Sequence, residues 1–80
     1  MRLDKYLKVS RLIKRRTVAN EACDAGRVLV NDKPARASYD VKEGDVLTIQ
    51  MGQKPISVRV LSVVEHTKKE DASDLYIALG

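Results

Sequence analysis

Apolar residues near the start of the chain recur at the spacing of one helical face. Leu3, Tyr6, Leu7 and Ile13 follow this spacing, with the small Ser10 between them. Basic residues recur at every third position on the other side of the same segment, at Arg2, Lys5, Lys8 and Arg11. The pattern predicts a first helix within residues 1–13, with its apolar side on the core and a positively charged stripe in solvent.

A second helix is predicted over residues 17–25. The hydroxyl of Thr17 can accept a hydrogen bond from a backbone N–H of the first turn, which makes Thr17 the expected N-cap. Val18 and Ala22 supply a small apolar face. Gly26 stands where a residue in the left-handed conformation would end the helix without a Cβ penalty.

The remainder of the chain shows mainly the alternation of apolar and polar residues that is typical of half-buried strands. Asn31 and Asp32 indicate a tight turn, and Pro34 favours an edge strand because proline cannot donate to a central ladder. The predicted strands cover residues 27–30, 33–35, 46–51, 56–64 and 75–79. Together these elements predict an α+β fold, in which two N-terminal helices pack on a small, mainly antiparallel sheet.

Charge is distributed unevenly along the chain. The 80 residues, enough for one small domain, carry 15 Lys and Arg against 11 Asp and Glu, a net charge of +4. Residues 1–36 carry a net charge of +6 and residues 37–80 a net charge of −2, and the first sixteen positions hold seven basic residues and one acid. Such a cluster repels itself unless a polyanion relieves it, so we expect a polyanionic partner at this part of the chain.

Few residues can support catalysis or metal binding. Cys23 is the only cysteine and His66 the only histidine, which excludes an intrachain disulfide and leaves a metal site almost without ligands. Neither has a nucleophile–base pattern near it, so we expect Cys23 to pack in a helix, His66 to be solvated, and the protein to have no enzyme activity and no cofactor. No apolar run has the length of a secretion signal or a membrane span, so we expect a cytoplasmic protein without a membrane partner.

Five sequence elements at consistent spacing resemble the RNA-binding domain named after small-subunit ribosomal protein four, the S4 domain. These are Arg2-Leu3-Asp4, Arg16-Thr17, Ala19, Gly26-x-Val28-x-Val30-Asn31 and Gly44-Asp45. Each element alone would be weak, and the set of five carries the resemblance. Two positions depart from the family pattern, because Arg15 stands where the family usually has Ser and Asp32 where it usually has Gly.

The resemblance implies an S4-like (alpha-L) fold for residues 1–64, with its signature in residues 1–50. Residues 65–80 then form a polar segment and a final strand of the same domain. A short standalone S4 domain is similar to the heat-shock-protein-fifteen family, most closely to its compact branch, the P-site factors of ribosome-associated quality control. That similarity implies a noncatalytic monomer on obstructed large ribosomal subunits, binding large-subunit rRNA and peptidyl-tRNA. It also implies support of template-free alanine tailing, beside the factor that recruits alanyl-tRNA.

The candidate RNA-binding residues combine the basic stripe, the cationic joint between the helices and the first hairpin. Arg15 and Arg16 are the strongest candidates, because arginine can form two hydrogen bonds to one phosphate and the N-terminus of a helix also favours anions. Thr17 is expected to act first as a cap, and Asn31 is as well suited to holding its turn as to binding RNA. The full set is Arg2, Lys5, Lys8, Arg11, Lys14, Arg15, Arg16, Thr17, Arg27, Asn31 and Lys33.

The three tyrosines, Tyr6, Tyr39 and Tyr76, are too few and too scattered to form a stacking platform, which favours recognition of RNA shape and phosphate. Three alternatives stay open at this point. One is a general rRNA-binding or ribosome assembly factor. Another is a DNA-binding protein that uses the second helix for recognition, and the most remote is an enzyme.

Overall fold

A computed structural model describes residues 1–63 and 75–79 of the chain. It contains two short helices, α1 (Leu3–Val9) and α2 (Arg16–Asp24). Leu3, Tyr6 and Leu7 of α1 are fully buried, and α2 packs against them through small residues such as Ala19 and Ala22. His66 and the polar segment around it lie outside the described residues.

The first helix is shorter than the spacing of apolar residues predicted. It ends at Val9, and Arg11 has a φ of 64°, in the left-handed region. Ile13 is still buried, but it reaches the core through the turn, where its N–H donates to the carbonyl of Leu7 at 3.0 Å. Arg11 therefore does not extend the basic stripe along α1, because the backbone turns before it.

The second helix begins one residue earlier than predicted, and the prediction of Thr17 as its N-cap is wrong. The N-cap is Arg15, with extended backbone angles and no capping side-chain hydrogen bond, whereas Thr17 lies inside the first turn. The end of the helix confirms the role of Gly26, whose φ is +78°. The N–H of Gly26 donates to the carbonyl of Cys23, and that of Arg27 to the carbonyl of Ala22. These two bonds are those of a Schellman motif.

Five antiparallel strands form one sheet in the order β2-β1-β3-β4-β5. They are β1 (Val28–Val30), β2 (Lys33–Pro34), β3 (Val46–Ile49), β4 (Ile56–Val60) and β5 (Tyr76–Ala78). The α+β fold with a mainly antiparallel sheet is thus confirmed, as is the edge position of Pro34. β3 ends two residues earlier than predicted, and β4 ends at Val60, since residues 61–63 are not in a strand and Val64 lies outside the described residues.

The core lies between the helices and one face of the sheet. Alternate residues of the central strands point to it, including Val28, Leu47 and Val58, each with no exposed surface. The hydroxyl of Tyr6 donates to the carbonyl of Leu75 at 2.6 Å, which ties α1 to the start of β5. Burial raises the pKa of this phenol, so it stays a donor at all ordinary pH values.

The first residues of the chain are held against the segment that precedes β3. Leu3 donates its backbone N–H to the carbonyl of Tyr39, and Val41 donates to the carbonyl of Met1, both at 2.8 Å. The terminal ammonium of Met1 also pairs with Asp40 at 2.7 Å. The backbone of Arg2, between Met1 and Leu3, is consequently held in place.

Gly26→Val should lower the free energy of unfolding by about 1–2 kcal/mol, because a β-branched residue is strained in the left-handed region. An added Cβ would meet nothing within 4 Å, so backbone strain and not a clash is the cause. Urea unfolding measures the effect. Gly26→Asn is the matched control and should lose much less, since asparagine tolerates this conformation. A Val variant that unfolds at the parental midpoint would contradict the assignment.

Candidate nucleic-acid interface

A buried carboxylate joins the two helices. Asp4, in the first turn of α1, is 2% exposed. Its Oδ1 accepts hydrogen bonds from the backbone N–H of Lys5 at 2.8 Å and from Nε of Arg2 at 3.2 Å. Its Oδ2 accepts from Nε of Arg16 at 3.3 Å and from Nδ2 of Asn20 at 3.2 Å. We call Asp4, Arg2, Arg16 and Asn20 the Asp4 cluster.

The two arginines of the cluster are fixed at Nε and exposed beyond it. The side chain of Arg2 is 51% exposed and that of Arg16 46%, although both bond the same buried carboxylate. The terminal guanidinium nitrogens are not used in these bonds, and their planar geometry matches pairs of phosphate oxygens. The arrangement presents two oriented guanidinium groups to an anionic ligand.

Hydrogen bonding keeps Asp4 ionised despite its burial. Desolvation is the largest influence on its pKa and acts to raise it, but bonds from Asn20, Arg2, Arg16 and the Lys5 N–H together outweigh it. The net result is a pKa below the ordinary value. Asp4 is therefore a carboxylate at neutral pH, as its role between two guanidinium groups requires.

The start of α2 adds positive potential beside the Asp4 cluster. A shallow cleft there is lined by Asp4, Arg16, Thr17, Asn20 and Glu21. Because the N-cap position, Arg15, provides no capping side chain, the first backbone N–H groups and the helix dipole contribute to this potential. Thr17 is not the N-cap, and its side chain lies exposed in the cleft.

Other predicted cations surround the cluster less tightly. Lys8 is exposed on α1, and Arg11, Lys14 and Arg15 are exposed in the connection that leads into α2. Lys5 is half-buried. The side chains of Lys8, Arg11, Lys14 and Arg15 do not bond the buried carboxylate, and contact of all five residues with RNA stays a prediction based on charge.

Two predicted residues lie away from the Asp4 cluster. Arg27 follows the far end of α2, a helix of 9 residues and thus roughly 13 Å long. Lys33 lies on the edge strand β2. The structure therefore does not bring Arg27 and Lys33 together with Arg16 at one point.

Asn31 holds its turn through both ends of its amide. Nδ2 donates to Oδ1 of Asp45 at 3.2 Å, and Oδ1 accepts the backbone N–H of Val46 at 3.0 Å. Its φ of 51°, with 69° at Asp32, is that of a tight hairpin turn. The geometry thus favours a structural role for Asn31, and RNA contact by this residue stays a prediction.

The structure adds Arg36 to the candidate site residues, among which the sequence analysis did not include it. Arg36 is exposed and lines a cleft together with Arg2, Asn20, Asp24, Ala37 and Ser38. The adjacent backbone is fixed on α2, because the N–H of Ala37 donates to the carboxylate of Asp24 at 3.2 Å. The position of Arg36 beside Arg2 depends on this contact between distant segments, so no local pattern in the sequence could predict it.

The described part of the chain contains no candidate metal site, and its one cysteine is buried. No group of three or more His, Cys, Asp and Glu side chains that could hold a metal occurs within residues 1–63 and 75–79. Burial, with Asp4 and Asp24 nearby, raises the pKa of the Cys23 thiol to about 11, so the thiol is protonated at neutral pH. In the same residues no helix has the length and apolar character needed to cross a membrane.

Comparison with known proteins finds a matching domain family and relatives that are similar over nearly the whole chain. Residues 1–47 match the family model of the S4 domain. The RQC P-site tRNA stabilizing factor of Bacillus subtilis is 56% identical over 79 residues, which are 99% of this chain and 92% of that protein. The factor of the same name from Helicobacter pylori is 34% identical over 80 residues, 98% of this chain and 94% of that protein.

A solved structure of a heat shock protein gives the same fold. Heat Shock Protein 15 of Vibrio cholerae, described as trimeric, superposes with a TM-score of 0.90 at 26% sequence identity. The match covers 98% of this chain and 80% of the other. The similarity therefore includes the helices and the sheet together.

Asp4→Asn should lower the free energy of unfolding at neutral pH by about 1.5–3 kcal/mol, the range for hydrogen bonds to a charged group. Because folding lowers the pKa of Asp4 below 3.8, the stabilisation is complete above that value and is lost as pH falls through the folded pKa. Urea unfolding of both proteins from neutral pH to about pH 3 should show a difference that shrinks in acid. A difference independent of pH would mean that the charge of Asp4 is not what stabilises the fold.

Proposed function

This chain belongs to the S4 domain family, and from that membership we propose that it is a noncatalytic RNA-binding factor of ribosome-associated quality control. It binds rRNA and peptidyl-tRNA on obstructed large ribosomal subunits and supports template-free alanine tailing of the stalled nascent chain. The single observation that carries the RNA-binding step is the Asp4 cluster.

The Asp4 cluster suits phosphate in structured RNA. Arg2 and Arg16 are oriented before a ligand arrives, because one buried carboxylate fixes both at Nε. Less side-chain entropy is then lost on binding than for free surface arginines. Two such groups can hold successive phosphates while the fold stays rigid behind them, which fits positioning of an RNA more than chemistry on it.

The quality-control part of the proposal rests on the relatives. Proteins at 56% and 34% identity over nearly the whole chain share the name RQC P-site tRNA stabilizing factor. A factor that stabilises tRNA in the ribosomal P site must contact the tRNA, the large subunit or both. The partners we propose are therefore large-subunit rRNA, peptidyl-tRNA, the obstructed subunit and the factor that recruits alanyl-tRNA, with this chain acting as a monomer in the cytoplasm.

The exposed side of α2 weighs against the DNA alternative. A recognition helix presents donors and basic residues to the major groove. Here Ala19, Ala22 and Cys23 are buried, and two of the exposed side chains are the acidic Glu21 and Asp24. Arg16, at the first position of α2, is the single basic residue of this helix, so α2 does not present the basic surface that a recognition helix needs.

Arg16→Ala should weaken association with obstructed large subunits about tenfold to a hundredfold, because one oriented charge-assisted contact is lost. Co-sedimentation at fixed salt measures it. The matched control is Arg59→Ala, which removes the same charge from an exposed position on β4. The control should bind nearly as the parent does.

Two results would contradict the proposal. Co-sedimentation of folded Arg16→Ala at the parental level would remove Arg16 from the interface, and equal losses in both variants would indicate a diffuse field only. The same experiment tests the assembly alternative. Preference for immature particles over subunits that carry peptidyl-tRNA would favour a ribosome assembly factor.

A further inference from the structure

A groove separates the β1–β2 hairpin from the chain segment that follows it. Its volume is about 630 Å³, within the range of small-ligand sites. Its lining comes from the hairpin and from residues 35–39, and consists of Val30, Asn31, Lys33, Pro34, Ala35, Arg36, Ser38 and Tyr39. The groove lies outside the Asp4 cluster and shares no residue with it.

An apolar surface with one fixed aromatic ring lines part of this groove. Val30, Pro34 and Ala35 supply aliphatic contacts, and Tyr39 is half-buried beside them. The hydroxyl of Tyr39 donates to Oδ2 of Asp45 at 2.9 Å, and the same oxygen accepts the backbone N–H of Lys42 at 3.0 Å. The ring is therefore held in place before any ligand binds, which favours stacking of a planar group.

Two cations border the apolar surface. Lys33 and Arg36 are exposed, and neither side chain has a hydrogen bond or ion pair with any residue of the described part of the chain. No acidic residue lines the groove. A ligand that combines a flat ring with negative charge matches this lining, and a nucleotide is such a ligand.

The groove continues into the surface that carries the Asp4 cluster. Arg36 lines both this groove and the neighbouring cleft that contains Arg2 and Asn20. A phosphate chain that leaves Arg2 can thus reach Arg36 at the border of this groove. Structured RNAs are recognised largely at loops and bulges, where a base is free to leave the stack.

We propose that this groove binds one unstacked base of the RNA, between Tyr39 and the aliphatic residues, while Arg36 and Lys33 hold the flanking phosphates. The inference rests on the proposed RNA-binding function and specifies its substrate as an RNA with an unpaired nucleotide. It also alters the expectation drawn from the scattered tyrosines. One fixed ring does not make a stacking platform, but it is enough for one base.

The probe is a uridine octanucleotide, because uridines stack weakly and leave their bases available. Its control is an abasic octanucleotide with the same sugars and phosphates. The protein should bind the uridine octanucleotide about fivefold to a hundredfold more tightly, the range for one stacked base. On binding, the amide NMR signals that shift should include those of residues 33 and 35–39. Equal affinities, no measurable binding of either probe, or shifts confined to the Asp4 cluster would each overturn the proposal.

Variants separate the base contact from the phosphate contacts. Tyr39→Leu should bring the two affinities together, whereas Tyr39→Phe keeps the ring, loses the bond to Asp45 and should retain most of the preference. Arg36→Ala should weaken both probes alike and leave their ratio unchanged, and Arg59→Ala should weaken neither. Amide spectra verify folding of each variant. A Tyr39→Leu protein that folds and keeps the full preference overturns the assignment of the ring.

Failure of this inference is distinguishable from failure of the proposed function. If the parent protein sediments with obstructed large subunits but does not prefer uridine over abasic RNA, the groove assignment alone is wrong. If it prefers uridine but does not associate with large subunits, the base site stands and the quality-control role is wrong.

Discussion

A carboxylate that is taken out of water must be matched by donors, and in this protein two of the four donors are the arginines proposed to bind RNA, Arg2 and Arg16. Asp4 is 2% exposed and accepts four hydrogen bonds, from both helices and from the residue before α1. Loss of any donor leaves a buried charge less well compensated. The packing of α1 on α2 and the orientation of Arg2 and Arg16 therefore depend on one group.

The parts of the structure that could be predicted were those with a local signal. Glycine tolerates a positive φ and proline lacks a backbone N–H, whatever residues surround them. The structure accordingly has Gly26 at a helix end and Pro34 at a sheet edge. Arg11 carries no such signal, because arginine rarely adopts a positive φ, so α1 was predicted too long. Arg15 likewise lacks a capping side chain, and Thr17 was the better local candidate for a cap.

The sequence could predict the positive charge of the candidate site, but not the spatial arrangement of its side chains. Asp4 was evident only as part of a motif, because its partners Arg16 and Asn20 lie twelve and sixteen positions away. Arg36 was missed for the same reason, since its neighbour Arg2 belongs to a distant segment. Sequence could identify a basic half of the chain, but the fold decides that Arg2, Arg16 and Arg36 share one surface while Arg27 lies beyond the far end of α2.

Oriented arginines and a diffuse positive field predict opposite results for one substitution. Asp4→Asn adds one unit to the net charge of +4, so a diffuse field predicts tighter binding to obstructed large subunits. Our account predicts weaker binding by the folded variant, because Arg2 and Arg16 lose the carboxylate that orients them. It also predicts that Asp4→Asn does not weaken binding further once both arginines are alanine. Tighter binding by Asp4→Asn with the arginines intact would contradict the account.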